Sequence, residues 1–483
     1  MLALPALEPA GSWHAVVVAI ALLGELLAVV FVYRVLVRGG SPASTVLWML
    51  VIIAAPWLGL FLYYLLPRRL QLRRLRRLRV RGARLREVRA RVPGGKGRAD
   101  VGRGDLAALL AGDDGTGLVG GNEVTWLPSG EEFFAAAEAA VDGASRHVHC
   151  VVYIFRPDAA GVRFLELLTR AARRGVMVRL LYDSFGSLGL KAAHLAGLRA
   201  AGGRAEAFLP LLWKRRPFTV NLRNHRKLLV VDGAIGFVGG RNVGDEYFTD
   251  KVGNQRTWLD AMLGVRGPAV DRMQDVFIED WCTATDEVLA DTFVMPKPVG
   301  EVRLGIVCSG PDREESDLWF AVVQAIGDAR ATVDLSSPYL VPPPTLLFAL
   351  QLAVARGVRV RIFTNGPRTE AAILYHAQRS HYGRMLASGI EIHESVNVYN
   401  HAKVVVVDGR HVIVGSANMD LRSAHLNFEI AAVVHEAPQL AAQVLATIET
   451  RRAGFRRIQE PDLPRRPWSR AIDAACGLFS PLL

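Results

Sequence analysis

The chain carries one block of reactive side chains twice. The first copy reads NHRKLLVVDGAIGFVGGRN and the second reads NHAKVVVVDGRHVIVGSAN. The histidines of the two copies, His225 and His401, are 176 residues apart, and the lysine, aspartate, glycine and asparagine positions keep that offset. Solenoid repeats have periods of about 20 to 50 residues, so this spacing predicts two similar folded units instead of a repeat array.

Each half of the chain surrounds its block with the same pattern of apolar residues. A strand-like run, a segment of helical periodicity and a second strand-like run follow one another, which indicates a β-α-β unit. We therefore predict an α/β fold of two duplicated units, each with a mixed sheet flanked by helices. The segments are 147–155, 162–175 and 176–183 in the first half and 331–341, 345–357 and 358–365 in the second.

A histidine and a lysine are two positions apart in both blocks, as His225 and Lys227 and as His401 and Lys403. On a β-strand this spacing places both side chains on one face. The apolar run that follows is predicted to be a buried strand, and the Asp-Gly pair after it a hairpin turn. An imidazole beside an ammonium suits a phosphodiester, because lysine can neutralise the nonbridging oxygens while imidazole attacks phosphorus or carries a proton.

Further hydrogen-bond donors follow each histidine-lysine pair. Asn242, Ser416 and Asn418 are predicted to bind the phosphate. A single histidine-lysine match would be weak evidence, but two matching sets of six residues at one offset indicate a real site with one histidine for each role.

Two long apolar segments precede the blocks. Residues 13–33 contain one charge, Glu25, and residues 45–66 contain none. Each segment is long enough to cross a hydrocarbon core of about 30 Å. No basic segment precedes the first one and no clear cleavage site ends it, so residues 1–67 predict a transmembrane hairpin and not a cleaved signal peptide.

The formal net charge of +12 is concentrated after the second apolar segment. Residues 68–91 contain twelve arginines and one acid, whereas the linker between the apolar segments contains two arginines. A basic run beside an apolar one is attracted to anionic lipid, and its position favours a cytoplasmic location for the rest of the chain. This local clustering argues against a nucleic-acid-binding surface.

The positions of the cysteines argue against two kinds of stabilising site. Cys150, Cys282, Cys308 and Cys476 are scattered and show no C-x-x-C spacing. Neither a disulfide framework nor a zinc site is therefore predicted.

The paired blocks resemble the two H-x-K-x4-D motifs of the phospholipase D superfamily. Flanking phrases such as VVYIFRPDAAG, GSANMDLRSAHLNFE and the terminal FSPLL are similar to those of bacterial cardiolipin synthases. The resemblance implies a multi-pass phosphatidyltransferase of the bacterial inner membrane that joins two phosphatidylglycerol molecules and releases glycerol. It implies no metal, no other cofactor and no nucleic-acid partner, and it leaves the oligomeric state open.

The resemblance also implies roles for individual residues. His225 is expected to attack phosphorus and form a phosphohistidine. His401 is expected to protonate the departing glycerol and then to deprotonate the incoming hydroxyl. In the family an acid downstream of each motif orients the histidine of that motif, as the acid does in a catalytic triad, which implies that Asp260 orients His225 and that Glu429 orients His401.

The remaining motif residues complete the implied catalytic set. Lys227 and Lys403 are expected to bind the phosphate together with the asparagines, and Asp232 and Asp408 are expected to support the structure. Three departures from the family pattern stand out: Asn400 replaces an apolar residue, Gly240 replaces a common serine, and the segment EIHESVNVYNHAK reads short.

The motifs leave several alternatives open. A hydrolytic phospholipase D, or a phosphatidyltransferase with another donor or alcohol such as phosphatidylethanolamine or serine, would use the same residues. A nuclease of the superfamily is disfavoured by the apolar segments, and an inactive lipid-binding scaffold by the two intact reactive sets. We predict four regions: the hairpin at 1–67, a basic juxtamembrane segment and linker at 68–121, and phospholipase D-like units at 122–300 and 301–483.

Overall fold

The computed structural model describes two compact units, one made of the N-terminal helices and one made of the later part of the chain. The described residues are 10–37, 42–65, 106, 117–210, 222–249, 251–252, 256–287, 289, 292, 294–312, 316–369, 372–463 and 466–478. The predicted basic run at 68–91 lies outside the described residues.

The described part of the N-terminal unit contains the helices α1 (Ala10–Val37), α2 (Pro42–Ala54) and α3 (Pro56–Leu65). Within α1, Val16–Val37 is long and apolar enough to cross a membrane. The predicted second span is interrupted after Ala54, because Pro56 has no backbone N–H and disfavours helical geometry at the residue before it. Among the residues that the structure describes there is therefore one helix of spanning length, and the second apolar segment forms helices of 13 and 10 residues.

The three N-terminal helices pack on one another. Phe31 of α1 is buried in one cluster with Ile52 of α2 and Leu60 of α3. A Cβ atom added to Gly24 would lie 2.8 Å from Nε1 of Trp57, so the absence of a side chain at this position lets the Trp57 ring lie against α1. The chain thus turns back on itself within this unit.

The later unit is built on strands that fall into the same order in both halves. The strands are β1 (Val119–Leu127), β2 (His147–Val152), β3 (Met177–Asp183), β4 (Arg204–Phe208), β5 (Arg223–Asn224), β6 (Leu228–Val231), β7 (Ile235–Gly239), β8 (Lys251–Val252), β9 (Arg256–Leu259), β10 (Met262–Arg266), β11 (Val302–Ser309), β12 (Thr332–Ser336), β13 (Leu340–Val341), β14 (Arg359–Thr364), β15 (Glu391–Ser395), β16 (Val398–Asn400), β17 (Val404–Val407), β18 (His411–Gly415), β19 (Met419–Asp420), β20 (Asn427–His435) and β21 (Phe455–Ile458).

Helices cover this sheet and connect its strands. They are α4 (Gly130–Asp142), α5 (Ala159–Arg173), α6 (Ala196–Ala200), α7 (Asp245–Phe248), α8 (Val270–Thr285), α9 (Asp317–Asp328), α10 (Pro344–Ala355), α11 (Ala372–Ala387), α12 (Leu421–His425), α13 (Pro438–Arg451) and α14 (Pro467–Leu478). Short 3-10 turns lie at Arg452–Gly454 and Glu460–Asp462.

Sixteen of the described strands, drawn from both halves, form one mixed sheet, and the remaining five form a pair, β13-β19, and a three-stranded sheet, β16-β9-β8. The order is β21-β15-β14-β12-β17-β18-β20-β11-β1-β10-β7-β6-β2-β3-β4, and β5 pairs with β20. In each half the strand-helix-strand set forms parallel pairs, and the strands towards the centre are antiparallel. The predicted mixed α/β architecture is confirmed.

The two halves meet at the centre of the sheet, where β1 pairs with β11 in antiparallel orientation. The duplicated units are therefore continuous through one sheet and are not two sheets packed together as their sequence repeat suggested. Each half keeps its own hydrophobic core: Leu168 and Leu229 are buried in the first, and Leu350 and Val405 in the second.

The predicted Asp-Gly hairpins form in both halves. β6 pairs with β7 and β17 with β18, both antiparallel. Asp232 and Gly233 have φ values of 53° and 67°, and Asp408 and Gly409 have values of 52° and 60°. Two central residues with positive φ match the twist of the strands that the turn connects, which explains the choice of Asp-Gly.

Candidate active site

The two motif histidines lie in connections just before strands and not on strands as predicted. His225 follows β5, and His401 follows β16. The backbone N–H of His225 donates to the carbonyl of Phe428 at 2.9 Å, and that of His401 donates to the carbonyl of Leu259 at 2.6 Å. The strand before each histidine pairs with a strand of the opposite half: β5 pairs with β20, and β16 pairs with β9. The chain returns to strand pairing within its own half only after the motif lysine, in β6 and β17.

This crossing brings each histidine beside an acid of the opposite half. Nδ1 of His225 lies 3.0 Å from both carboxylate oxygens of Glu429, the residue after Phe428. Nδ1 of His401 lies 2.6 Å from Oδ2 of Asp260, the residue after Leu259. The two acids are those that the sequence singled out, but the expected pairing within each half is wrong: His225 is paired with Glu429 and His401 with Asp260, because the backbone at each histidine pairs with a strand of the opposite half.

Burial holds both imidazoles in the neutral form. Burial lowers the pKa of His225 to about 4, and Glu429 offsets this effect only in part. Burial and the charge of Lys403 lower the pKa of His401 to about 3. A carboxylate at Nδ1 favours the tautomer with the proton on that atom, which leaves a lone pair on Nε2 for attack or proton transfer.

The two acids remain ionised. Burial alone would raise the pKa of Glu429, but His225 and Lys227 outweigh it and hold the pKa at about 2. The pKa of Asp260 is also lowered, because His401 and Lys403 overcome the effect of burial. Both carboxylates can therefore stabilise a positively charged imidazole during the reaction.

The motif lysines point back to their own histidine segments. Nζ of Lys227 donates to the carbonyl of His225 at 2.7 Å, and Nζ of Lys403 donates to the carbonyl of His401. Burial lowers the pKa of Lys227 well below its ordinary value. The charge of each lysine acts on the histidine of the opposite half as well as on its own, so the two motifs share one electrostatic environment.

The asparagines predicted to bind substrate are buried and keep free hydrogen-bonding capacity. Oδ1 of Asn242 accepts the N–H of Ile154 at 3.0 Å, while its Nδ2 has no partner among the described residues. The side-chain oxygen of Asn418 likewise has no partner among the residues that the structure describes. The first half therefore offers an amide N–H that can donate to a phosphate oxygen, whereas the second half offers an amide oxygen, which can accept only from a donor such as a hydroxyl.

Ser416 has a different partner from the one that the sequence suggested. Its hydroxyl donates to Oε2 of Glu429 and accepts the N–H of Ile430 at 3.0 Å. The hydroxyl proton is thereby used to hold the carboxylate that faces His225. In this structure Ser416 is placed to position the acid and not to contact a substrate phosphate.

Gly240 occupies the position in the first half that Ser416 occupies in the second, and its surroundings explain why serine is absent there. A Cβ atom added to Gly240 would lie 2.2 Å from Oδ1 of Asp260. Asp260 instead receives the N–H of Ala261 at 2.8 Å on this oxygen. The two halves therefore support their acids differently, through a serine in one and through the backbone in the other.

The motif aspartates lie at the far end of the hairpins from the histidines. The carboxylate of Asp232 accepts the backbone N–H groups of Ser145, Arg146 and His147 at 2.8 to 2.9 Å. Asp408 accepts those of Arg330, Ala331 and Thr332 at 2.7 to 2.9 Å. Each aspartate ties its hairpin to the start of the neighbouring strand, β2 or β12.

Sequence reasoning missed the polar residues that hold the segments before the histidines. Oδ2 of Asp183 accepts the N–H of Asn224 at 3.0 Å, and Oδ1 of Asn365 accepts the N–H of Asn400 at 2.8 Å. Asn400 also donates to Ser336 Oγ at 3.0 Å, so its amide is satisfied where an apolar residue was expected. The available signal was position: Asp183 ends β3 and Asn365 follows β14, at the carboxyl ends of parallel strands where sites form.

Aromatic rings enclose the two histidines unequally. Tyr153 lies with its ring centroid 4.9 Å from that of His225. His401 has Trp258 at 5.3 Å and Tyr247 at 5.5 Å. Both histidines are below one-tenth exposed, at 7% and 8%. The site therefore excludes most water from the reacting nitrogens.

One group of residues in the described part of the chain could hold a metal ion, but it lies away from the histidine pair. His411, His435 and Glu436 have potential ligand atoms within 4.8 Å of one another. Glu436 already forms an ion pair with Arg410. The group lies at the opposite end of β18 and β20 from Ser416 and the catalytic acid, so it is no part of the histidine site.

Comparisons with known proteins agree with this geometry. The family described as cardiolipin synthase, PLD-like domain, matches residues 138–281 and 322–451, which together make up more than half of the chain. The chain belongs to this family. The predicted membership of the phospholipase D superfamily, in its cardiolipin synthase group, is confirmed, and with it the assignment as a phosphatidyltransferase.

The similarity to individual members of the family extends over most of the chain. The cardiolipin synthase of Listeria monocytogenes is 35% identical over 385 residues, which cover 78% of this chain and 79% of that protein. The cardiolipin synthase of Geobacillus kaustophilus is 36% identical over 74% of this chain and 72% of that protein. Among solved structures, the phosphatidylserine synthase of Haemophilus influenzae superposes with a TM-score of 0.59 at 16% identity, covering 74% of this chain and 95% of that one, which shows a shared fold.

Proposed function

We propose that the chain transfers a phosphatidyl group from one phosphatidylglycerol to a hydroxyl of another, forms cardiolipin and releases glycerol. The observation that carries the proposal is the pair of buried imidazoles, His225 and His401, each bonded at Nδ1 to a carboxylate of the opposite half. Such a pair supplies one nucleophile and one proton carrier in a single site. Identity of 35% to a cardiolipin synthase over 78% of the chain supports this choice of reaction.

The first step forms a phosphohistidine. The lone pair on Nε2 of His225 forms a bond to phosphorus, and the bond from phosphorus to the headgroup glycerol oxygen breaks. That oxygen takes the proton from Nε2 of His401. The protonated form of His401 is favoured by the negative phosphodiester itself, since a nearby opposite charge raises the pKa of an imidazole.

The second step transfers the phosphatidyl group. Nε2 of His401 removes the proton from a headgroup hydroxyl of a second phosphatidylglycerol, whose oxygen forms the new bond to phosphorus. The bond between phosphorus and His225 breaks, and its electron pair returns to the imidazole. Lys227, Lys403 and the free amide of Asn242 stabilise the phosphate oxygens in both steps.

The assignment of His225 as the nucleophile follows the family pattern and is part of the proposal. Mass spectrometry of enzyme quenched during turnover should find the phosphatidyl adduct on His225. An adduct on His401 would reverse the two roles and leave the reaction itself unchanged.

We propose further that the N-terminal helices form a two-pass membrane hairpin with the histidine site in the cytoplasm. The spanning length of α1 and the packing of α2 and α3 against it support the hairpin, since α2 and α3 together hold apolar residues from 42 to 65. The excess of arginine after α3 supports the orientation. Cysteines placed in the linker at residues 38–41 should react with a membrane-impermeant reagent from the periplasmic side only.

The activity is tested by reconstituting the purified chain in vesicles that contain radiolabelled phosphatidylglycerol. Cardiolipin and glycerol should appear in equal amounts, and His225→Ala should abolish both. Phosphatidic acid as the only lipid product would identify a hydrolase. Unchanged lipid with wild-type protein would leave only a binding role and would refute the proposed function.

A further inference from the structure

The C-terminal helix α14 has the opposite polarity from an ordinary surface helix. Its outer face presents Trp468, which is 81% exposed, and Ile472, which is 50% exposed. Its inner face presents Asp473, which is buried. Helices that cover a globular protein in water place their apolar residues inward and their polar residues outward.

The inner face is fixed by specific contacts with α11. A carboxylate oxygen of Asp473 lies 2.7 Å from Nδ1 of His376. One turn further along both helices, a Cβ atom added to Gly477 would lie 2.8 Å from Oγ of Ser380. These contacts run in parallel along the two helices, so α14 cannot rotate to bury its apolar face without losing them.

The sequence that leads into α14 is basic. Residues 451–470 contain seven arginines and two acids. Three of these arginines form ion pairs with neighbouring acids: Arg452, Arg456 and Arg457. Arg466 and Arg470, on either side of Trp468, are both exposed. A tryptophan flanked by arginines, on a helix with one apolar face, is the pattern of helices that lie in the headgroup region of an anionic bilayer.

Helix α11 connects this surface to the histidine site. Nε2 of Gln378 in α11 donates to the carbonyl of Asn365 at 2.6 Å. Asn365 in turn holds the backbone of Asn400, the residue before His401. The outward face of α14 is therefore linked through one helix and one asparagine network to the second catalytic histidine.

We propose that α14 is an interfacial membrane helix. Trp468 and Ile472 insert into the headgroup region of an anionic bilayer, Arg466 contacts lipid phosphates, and α11 is held beside the lipid surface. The inference rests on the proposed function and deepens it, because a site that binds two lipid molecules has to face the surface of the bilayer that contains them.

Fluorescence from a label on the outer face of α14 tests the docking directly. In a Cys476→Ser background the remaining cysteines are buried, so Ala471→Cys offers one exposed thiol for an environment-sensitive dye. The control is Val162→Cys, at a position 47% exposed on α5 of the first half. The full-length protein is reconstituted in vesicles with phosphatidylglycerol and a lipid brominated near the headgroups.

The dye at position 471 should be quenched by the brominated lipid and protected from aqueous iodide, and the dye at position 162 should show the reverse. Equal iodide quenching at both positions would overturn the proposal. Protection from iodide without quenching by brominated lipid would show that protein covers the face, as a second copy of the chain would, and would also overturn it. Because this readout requires no turnover, quenching by lipid in a chain that makes no cardiolipin would refute the proposed function alone.

A kinetic experiment tests the consequence for catalysis. The double variant Trp468→Ser and Ile472→Ser should raise KM for phosphatidylglycerol in vesicles several-fold and change kcat by less than about twofold, since it alters access and not chemistry. Val162→Ser should leave both constants unchanged. An unaltered KM in the double variant would contradict the role of α14 in presenting lipid.

Discussion

Replacement of Ser416 by alanine separates two roles that this residue could have. In the structure its hydroxyl donates to the carboxylate of Glu429, which faces Nδ1 of His225. If Ser416 positions this acid, its loss weakens the step that His225 performs. If Ser416 instead binds the substrate phosphate, its loss weakens substrate binding.

The size of the effect follows from the bonds that change. A hydrogen bond to a charged group contributes about 1.5 to 3 kcal/mol, and each 1.4 kcal/mol corresponds to about a tenfold change in rate. Asn427 still donates to the other oxygen of Glu429 at 3.2 Å, so part of the support for the acid remains. We therefore expect Ser416→Ala to lower kcat by about tenfold to a hundredfold, with KM nearly unchanged.

The assay measures cardiolipin formation in vesicles against phosphatidylglycerol concentration. Ser416→Thr keeps a hydroxyl and should recover part of kcat, which a loss of general stability would not explain. Thermal unfolding is measured alongside, because Ile430 also loses an acceptor for its buried N–H. A loss confined to KM would refute the positioning role, and an activity within about twofold of wild type would show that the bond to Glu429 has no catalytic effect.

Three further changes test other contacts. Gly240→Ala should lower kcat for cardiolipin formation at least tenfold, because its Cβ would lie 2.2 Å from Oδ1 of Asp260, the acid beside His401, which carries a proton in both steps. Asp408→Ala removes three bonds to backbone N–H groups and should reduce the free energy of unfolding by about 3 kcal/mol in chemical denaturation, with no separate effect on KM in the fraction that stays folded. Burial lowers the pKa of His147 to about 4, so the stability that its neutral form contributes is present above pH 6.5 and is lost as the pH falls to 4. In His147→Phe, the fall in the free energy of unfolding between pH 6.5 and pH 4 should therefore be smaller by about 3 kcal/mol. The same fall in the variant and in the wild type would contradict this reasoning.

Local geometry was the part of this fold that the sequence could predict. The Asp-Gly pairs after LLVV and VVVV predict the hairpins, because Asp-Gly favours a turn with positive φ at both central residues, and such a turn matches the strand twist. The strand-helix-strand segments gave the parallel pairs, with β2, α5 and β3 within a few residues of the predicted bounds. The second apolar segment was read as continuous, and Pro56 breaks it for the steric reason that applies to any helix.

The contacts between the halves could not be predicted in this way. The repeat of the motif suggested that each histidine and lysine lie on one strand of their own unit. The pairing of β5 with β20 and of β16 with β9 takes the backbone out of that strand, and such pairing depends on residues about 200 and 140 positions apart. Gly240 and Ser416 show the same limit, since their different partners, Asp260 and Glu429, follow from side-chain length in the folded site.

The exchange of acids between the halves explains why a duplicated chain keeps both copies of its motif. His225 has its carboxylate on β20 of the second half, and His401 has its carboxylate directly after β9 of the first. A single half on its own would contain a histidine without the acid that orients it. A second copy of that half could supply the acid only by pairing with it, as β1 pairs with β11 here. Covalent joining of the halves removes the need for that association and lets each site diverge. The serine beside Glu429 and the glycine beside Asp260 differ between two nearly identical motifs, and this difference gives the two histidines unequal surroundings, as the proposed roles of nucleophile and proton carrier require.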